Sequence, residues 1–299
     1  MLTLSKNSET SLKAASGADE TWSGEKTIER LNDLEKRVRQ LERKYKQEYS
    51  PATSLRARSM VQNFCKHLTP MDPVGLFFER VGRNLDGGYV MAKHYAESGI
   101  AYSLGIKSDV SWDIGMVERG YKIFQYDHTI DALPFEHPYF NFRKQGITGE
   151  TSAHGMFSSL SRQIQENDHF NETEMILKMD IEGHEWSVFN DIAEDNIRCF
   201  SQILVEIHGL KDVDKLVWQR TRLPGLEKLA KTHQVVHVHA NNNSELRIIG
   251  GYPIPTTMEL TLLRKDICDF KPCKRNFPTE IDQPNNPNYA EHILGTFQF

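Results

Sequence analysis

Met175-Ile176-Leu177-Lys178-Met179-Asp180-Ile181-Glu182-Gly183-His184-Glu185-Trp186 reads as a strand that leaves a sheet through a glycine turn and enters a helix. A short apolar run followed by a helical segment, Glu185 to Ile192, is the repeating unit of a mostly parallel sheet covered on both faces. Working outward, further strand runs are Ile100 to Leu104, Lys122 to Tyr126, Tyr139 to Phe142, Ile203 to Ile207, Val235 to His239 and Glu259 to Leu263, seven in all with Met175 to Met179. Helical spacing lies between them at Val110 to Arg119, Ser158 to Gln165 and Trp218 to Thr232. The last two strands have only the Asn241 to Thr257 loop between them, so they are expected to pair antiparallel. Five parallel strands closed by a hairpin differ from the repeated βαβ halves of a dinucleotide-binding domain.

Upstream of this α/β region, 60–267, two other segments are expected. Residues 1–22 are Ser-, Thr-, Ala- and Gly-rich without apolar periodicity, and cannot offset their ordering entropy by burial. Over 23–50, Leu31, Leu34, Val38, Leu41 and Tyr45 recur three and four apart, the seam of a coiled-coil helix. Asp33 with Arg37, Glu35 with Arg39 and Glu42 with Lys46 add pairs four residues apart, and Ser50-Pro51 ends the helix. That helix is either a homo-oligomerisation arm or a strap laid on its own globular domain. Downstream, 268–299 is Pro- and Asn-rich yet keeps Phe270, Phe277, Ile293 and Leu294, which suits an irregular wrap packed on the domain.

A net charge of −5 disfavours a general nucleic-acid binder, which needs surplus cations to neutralise phosphates. No apolar run is long enough for a membrane span, and the start MLTLSKNSETSLKAAS does not read as a secretory signal, so an intracellular protein is expected. Cys65, Cys199, Cys268 and Cys273 form no CxxC pair and read as reduced thiols, with a Cys268–Cys273 disulfide as the alternative in a secretory compartment.

In an open α/β sheet the chemistry sits just beyond the carboxyl ends of the strands. There the sequence is polar. Ser103-Leu104-Gly105-Ile106-Lys107-Ser108-Asp109 follows the first strand, and Asp127 ends the second about 20 residues later, a spacing that suits a carboxylate on ribose hydroxyls. Asp127 can equally cap the turn before His128-Thr129. Ahead of the first strand, Gly82-Arg83-Asn84-Leu85-Asp86-Gly87-Gly88-Tyr89 either brings backbone close to a ligand, with Arg83 and Asp86 on its polar end, or is a tight Asp-Gly hairpin. Asp180, Glu182, His184 and Glu185 crowd the turn after the fourth strand, Glu206 and His208 end the fifth, and His237 and His239 alternate along the sixth. Two carboxylates and an imidazole suit a hard divalent cation, and Asp180 with a histidine suits a base acting on a hydroxyl. Helix-dipole carboxylates account for Glu182 and Glu185 but not for the whole cluster.

These residues resemble the FkbM family of S-adenosylmethionine-dependent methyltransferases, in its branch shared with animal methyltransferase-like 24 proteins. The resemblance covers about residues 75–265 and is carried by Asp86-Gly87-Gly88-Tyr89, Tyr102-Ser103-Leu104-Gly105-Ile106 with Asp109, Phe124 to Asp127, Leu177-Lys178-Met179-Asp180-Ile181-Glu182-Gly183 with Glu185, Glu206-Ile207-His208, and His237-Val238-His239-Ala240-Asn241-Asn242. It implies a Rossmann-like, seven-stranded class I methyltransferase fold and methylation of a hydroxyl oxygen on a glycan or other small acceptor. It also implies that Asp86, Gly87, Gly88, Tyr89, Ser103, Gly105 and Asp109 cradle S-adenosylmethionine while Asp127 takes the ribose. His184, His208 or His239 is then the base beside Asp180; where Mg²⁺ or Mn²⁺ assists, Asp180, Glu206 and His208 are its ligands and the base is His184 or His239. Gly105 stands alone where many methyltransferases carry a Gly-x-Gly-x-Gly-like turn. A nucleotide-binding oxidoreductase and a non-catalytic oligomeric scaffold are the competing readings.

Overall fold

The computed structural model describes residues 24–48, 51–97 and 99–299, so the expected mobile stretch 1–22 and Ser50 lie outside it. The chain divides into two units at residue 50. In the first, α1 (Gly24–Glu48) is one continuous helix. Its Ile28, Leu31, Leu34, Val38 and Leu41 are each more than half exposed, and Glu35 pairs with Arg39 at 3.2 Å.

The second unit, 51–299, is built on seven strands: β1 Gly99–Leu104, β2 Tyr121–Tyr126, β3 Phe140–Arg143, β4 Met175–Met179, β5 Phe200–His208, β6 His233–Ala240 and β7 Thr257–Arg264. Their order is β6-β7-β5-β4-β1-β2-β3. β7 runs antiparallel to both of its neighbours, so the other six strands share one direction. The last two strands pair antiparallel as the loop between them predicts, but β7 enters between β5 and β6 instead of extending the edge. The loop carries its own hairpin, Leu246–Ile249 with Tyr252–Pro255.

Helices α3 (Ser111–Val117), α4 (Leu160–Glu166), α5 (Glu185–Asp191) and α6 (Glu194–Arg198) connect strands on the β1–β5 side. The expected helix over 218–232 is two, α7 (Leu216–Arg220) and α8 (Leu223–Thr232), because Pro224 lacks an N–H and suits a first turn. One helix had no counterpart in the sequence reading. In α2 (Pro51–Cys65) the buried Ala57, Val61, Phe64 and Cys65 fall on one helical face, and Phe64 packs 5.8 Å from Trp186 and 4.9 Å from Trp218. Cys273, Phe277, Leu294 and Phe297 bring the tail into the same core, and Phe270–Pro272 pairs with Met71–Pro73. All four cysteines are free thiols. Among the described residues no helix is long and apolar enough to cross a membrane.

Candidate active site

The site follows from register. β1 lies between β4 and β2, where the strand order reverses, and Leu104 is level with Met179 on one side and Tyr126 on the other. Val205 is level with Met179, Glu206 with Glu259, and Glu259 with His239. The residues one step further along therefore form a row on the carboxyl edge: Asp127, Gly105, Asp180, Glu206, Glu259, His239. Such a reversal point is where open α/β sheets bind ligands.

A cavity of about 390 Å³ opens over the Asp127–Gly105–Asp180 part of that row. Asp86, Gly87, Tyr89, Gly105, Asp109, Asp127, Asp180 and His184 line it, as do Arg83, Lys178, His128, Ile147 and Phe157. One end is flat and aromatic: Phe157 lies 4.6 Å from the His128 ring and stacks on His184 at 5.4 Å and 19°. The other end is charged, with Arg83 paired to Asp109 at 2.8 Å. Gly88 and Ser103 are not lining residues. Gly88 lies under the Arg83 carbonyl, where a Cβ would come within 2.2 Å, and Ser103 is buried in β1 against the Asp113 carboxyl.

The loop 82–88 joins Phe78–Val81 to Tyr89–Ala92 as a hairpin with a seven-residue connection, not the two-residue Asp-Gly turn. Arg80 ties it from within, donating to the Leu85 and Arg83 carbonyls, and Gly87 is glycine because a Cβ would meet Asp109 Oδ2 at 2.3 Å. Asp109 also accepts from Ser111 N–H at 2.7 Å at the start of α3. Its carboxylate holds the loop and the helix together.

Asp127 is a brace. Its Oδ2 accepts from Ile106 and Lys107 N–H, both at 2.8 Å, and its Oδ1 from Thr129 N–H at 2.7 Å and Thr129 Oγ at 2.6 Å. Burial raises its pKa, but these donors outweigh that and hold the carboxyl below its ordinary value. A ribose diol reaching Asp127 would take over the Thr129 bonds. Asp127→Asn leaves one acceptor oxygen for these two sets of donors and sets its amide N–H against either the Ile106 and Lys107 N–H groups or the Thr129 N–H. We expect a loss of about 1–3 kcal/mol, since an unpaired buried donor costs that much. Denaturant unfolding checks it, and an unchanged midpoint would show the brace to be idle.

Lys178 lines the cavity and was missed by sequence reasoning, although it lies inside the motif that set the fold. Its ammonium donates to the Gly105 carbonyl and lies 5.8 Å above the Tyr89 ring. Burial raises the pKa of Asp113, and the Lys178 charge opposes the rise. A lysine inside an otherwise apolar strand was the available signal. Tyr89 is fully buried, and burial together with the surrounding carboxylates keeps its phenol protonated.

Beyond Asp180 the row becomes an acid and imidazole cluster. His208 Nδ1 is 3.2 Å from Glu185 Oε1, an oxygen that also accepts from Ile181 N–H at 2.9 Å and Gly183 N–H at 3.2 Å. The other ring nitrogen, Nε2, faces Glu206 at 3.5 Å, Glu182 at 3.7 Å and Asp180 at 4.0 Å. Burial lowers the His208 pKa, but Glu185 and the other carboxylates outweigh it, and the net shift is upward. Burial pushes the Asp180 carboxyl up to about 6, and Glu206 well above its usual range with Asp180 and Glu259 adding to the rise. Glu206 and His208 thus adjoin the cavity without lining it.

His239 is not placed to be the base. It is buried, with Nδ1 3.1 Å from Glu259 and Nε2 3.4 Å from Glu291, so both nitrogens are engaged. Burial lowers its pKa, but the two carboxylates prevail and hold it at about 10, an imidazolium at neutral pH. Folded-state protonation above the ordinary 6.5 means that this contact contributes its full stability below pH 6.5 and loses it as pH rises toward 10. We expect the thermal midpoint to fall over that range, and to fall less in His239→Gln. Equal slopes would show that the contact is not linked to folding. His237 is likewise taken up, by Asp282 at 2.8 Å.

A seven-stranded, mostly parallel sheet with an inserted antiparallel strand, and a cleft at its reversal point, are consistent with a methyltransferase fold. The chain belongs to the family described as "Methyltransferase domain" (Methyltransf_22), whose profile matches residues 28–244. No curated protein matches the chain. Among solved structures, a hemolysin-designated protein of Streptococcus thermophilus is similar at 12% identity and a TM-score of 0.33, over 65% of this chain. The chain spans 64% of that protein's length. A single-residue mutant of the 16S rRNA (adenine(1408)-N(1))-methyltransferase from Catenulisporales acidiphilia is similar at 13% identity and a TM-score of 0.28, over 64% of this chain and 99% of that one. At those scores neither likeness bears on function.

Proposed function

We propose that this methyltransferase takes its methyl group from S-adenosylmethionine and delivers it to a hydroxyl oxygen, with a sugar or glycan as acceptor. The observation that carries the reading is the row of strand ends, with a cavity of about 390 Å³ over Asp127, Gly105 and Asp180 and the His208 imidazole next to it. The cavity lining fits the donor's parts in order: the Phe157, His128 and His184 rings suit adenine, Asp127 suits a ribose diol, and Arg83, Asp86 and Lys178 suit a zwitterionic amino acid. The sugar acceptor rests on the FkbM resemblance of the Leu177 to Gly183 motif.

In the transfer, the acceptor oxygen attacks the methyl carbon, the carbon–sulfur bond breaks and sulfur keeps the pair. The acceptor proton must leave, and His208 takes it at Nε2. Its carboxylate neighbours raise its proton affinity, while Glu185 fixes the ring through Nδ1. His184, with Nδ1 2.9 Å from Thr148 Oγ and its face on Phe157, belongs to the adenine wall. Of the three ligands expected from the sequence, Asp180 and His208 converge with Glu185, their ligand atoms within 4.8 Å of one another, whereas Glu206 groups with Asp86 and Glu259, so a divalent cation would be held by Asp180, Glu185 and His208. Mg²⁺ or Mn²⁺ there would lower the acceptor's pKa and hold it in line, with His208 then a ligand in place of the proton acceptor.

Mass spectrometry of candidate glycans after incubation with isotope-labelled donor tests the reaction. Labelled O-methyl product is expected; label found on nitrogen or carbon would overturn the hydroxyl assignment. Turnover unchanged by EDTA would remove the cation.

A further inference from the structure

We propose that α1 pairs with α1 of a second copy of this chain as a parallel, in-register, two-stranded coiled coil. Written as heptads, Leu31, Val38 and Tyr45 occupy a, and Leu34 and Leu41 occupy d. Val38, the β-branched residue among the a positions, stands between Leu34 and Leu41 at d, the pairing that favours two strands over three or four. Leu31, Leu34, Val38 and Leu41 present this seam with 52–66% of each residue exposed, an apolar stripe on an otherwise charged helix.

The flanking charges choose the occupant and its direction. Positions g hold Arg30, Arg37 and Lys44, all basic, and positions e hold Glu35 and Glu42, both acidic, after Ile28 in the first heptad. In a parallel pair each g meets the e of the partner's next heptad, so Arg30 faces the partner's Glu35 and Arg37 the partner's Glu42. In an antiparallel pair g would meet g and e would meet e, setting arginine against arginine and glutamate against glutamate. A copy of the same helix, running the same way, is therefore the complement of this surface. Ile28 at e extends the apolar stripe toward the N-terminus.

Light scattering of the full chain after size exclusion is the test, at about 50 µM because a coil this short holds only weakly. The expected mass is about 69 kDa, twice 34.4 kDa. Leu34→Glu with Leu41→Glu is expected to return it to one copy without moving the thermal midpoint of the 51–299 unit. Leu31→Cys is expected to give an oxidised, cross-linked dimer that the unsubstituted chain does not, because residue 31 meets itself only in the parallel register. A monomer at that concentration, a dimer that survives the paired glutamates, or a dimer without the 31–31 cross-link would each overturn the proposal.

Discussion

His208→Ala is expected to lower kcat by about 10²–10⁴-fold, the usual worth of a positioned base. The same change should leave S-adenosylmethionine affinity nearly intact, since His208 adjoins the cavity without lining it. The fold should survive as well. Glu185 Oε1 keeps its Ile181 and Gly183 donors when the imidazole goes, so the turn after β4 remains tied. His208→Gln separates the base from a purely positional role, because the amide can still meet Glu185 but takes no proton. Steady-state kinetics with both variants decide it: activity within threefold of the parent would remove His208 from the chemistry.

Gly105→Ala is expected to have the largest effect on the molecule itself. Gly105 has φ +79°, and a Cβ there would lie 1.7 Å from the Asp180 carbonyl oxygen. Left-handed backbone costs a non-glycine residue about 1–2 kcal/mol, and overpacking adds about 1–3 more. For a domain of this size the sum corresponds to a thermal midpoint lowered by roughly 5–20 °C. It should also push the β1 turn from β4 and weaken cofactor binding, since both walls move. Gly155→Ala is the control, with φ +62° but nothing within 4 Å of its Cβ, and should lose only the backbone part. Equal melting of the two variants would mean that the Gly105–Asp180 approach is relaxed in solution.

The strand pattern was legible because burial on both faces leaves largely apolar runs such as Met175–Met179, interrupted only by Lys178, and Ile203–Ile207, interrupted only by Glu206, and hydropathy reports burial directly. Order was not legible. Nothing in Thr257–Arg264 states that it inserts between β5 and β6, since pairing partners are set by three-dimensional neighbours. Helix α2 escaped notice because its buried positions Ala57, Val61, Phe64 and Cys65 are diluted by Arg56, Arg58 and Gln62, and its mean hydropathy is near neutral. Gly105, Asp127 and Asp180 could be placed on one edge from the rule that strands end at the ligand. Their hydrogen bonds could not, so Asp127 as a four-bond brace and His239 as a buried ring held between Glu259 and Glu291 emerge only from geometry. Lys178, Glu259 and Phe157 entered the same way, each through a neighbour distant in sequence.

The most direct measurement is titration calorimetry of the whole chain with S-adenosylhomocysteine and, separately, with NAD, repeated on Phe157→Ala. Micromolar binding of the thioether alone, weakened by loss of the aromatic wall, is the predicted result. Binding of NAD in its place, or of neither ligand, would contradict a methyl-donor cleft at this sheet edge.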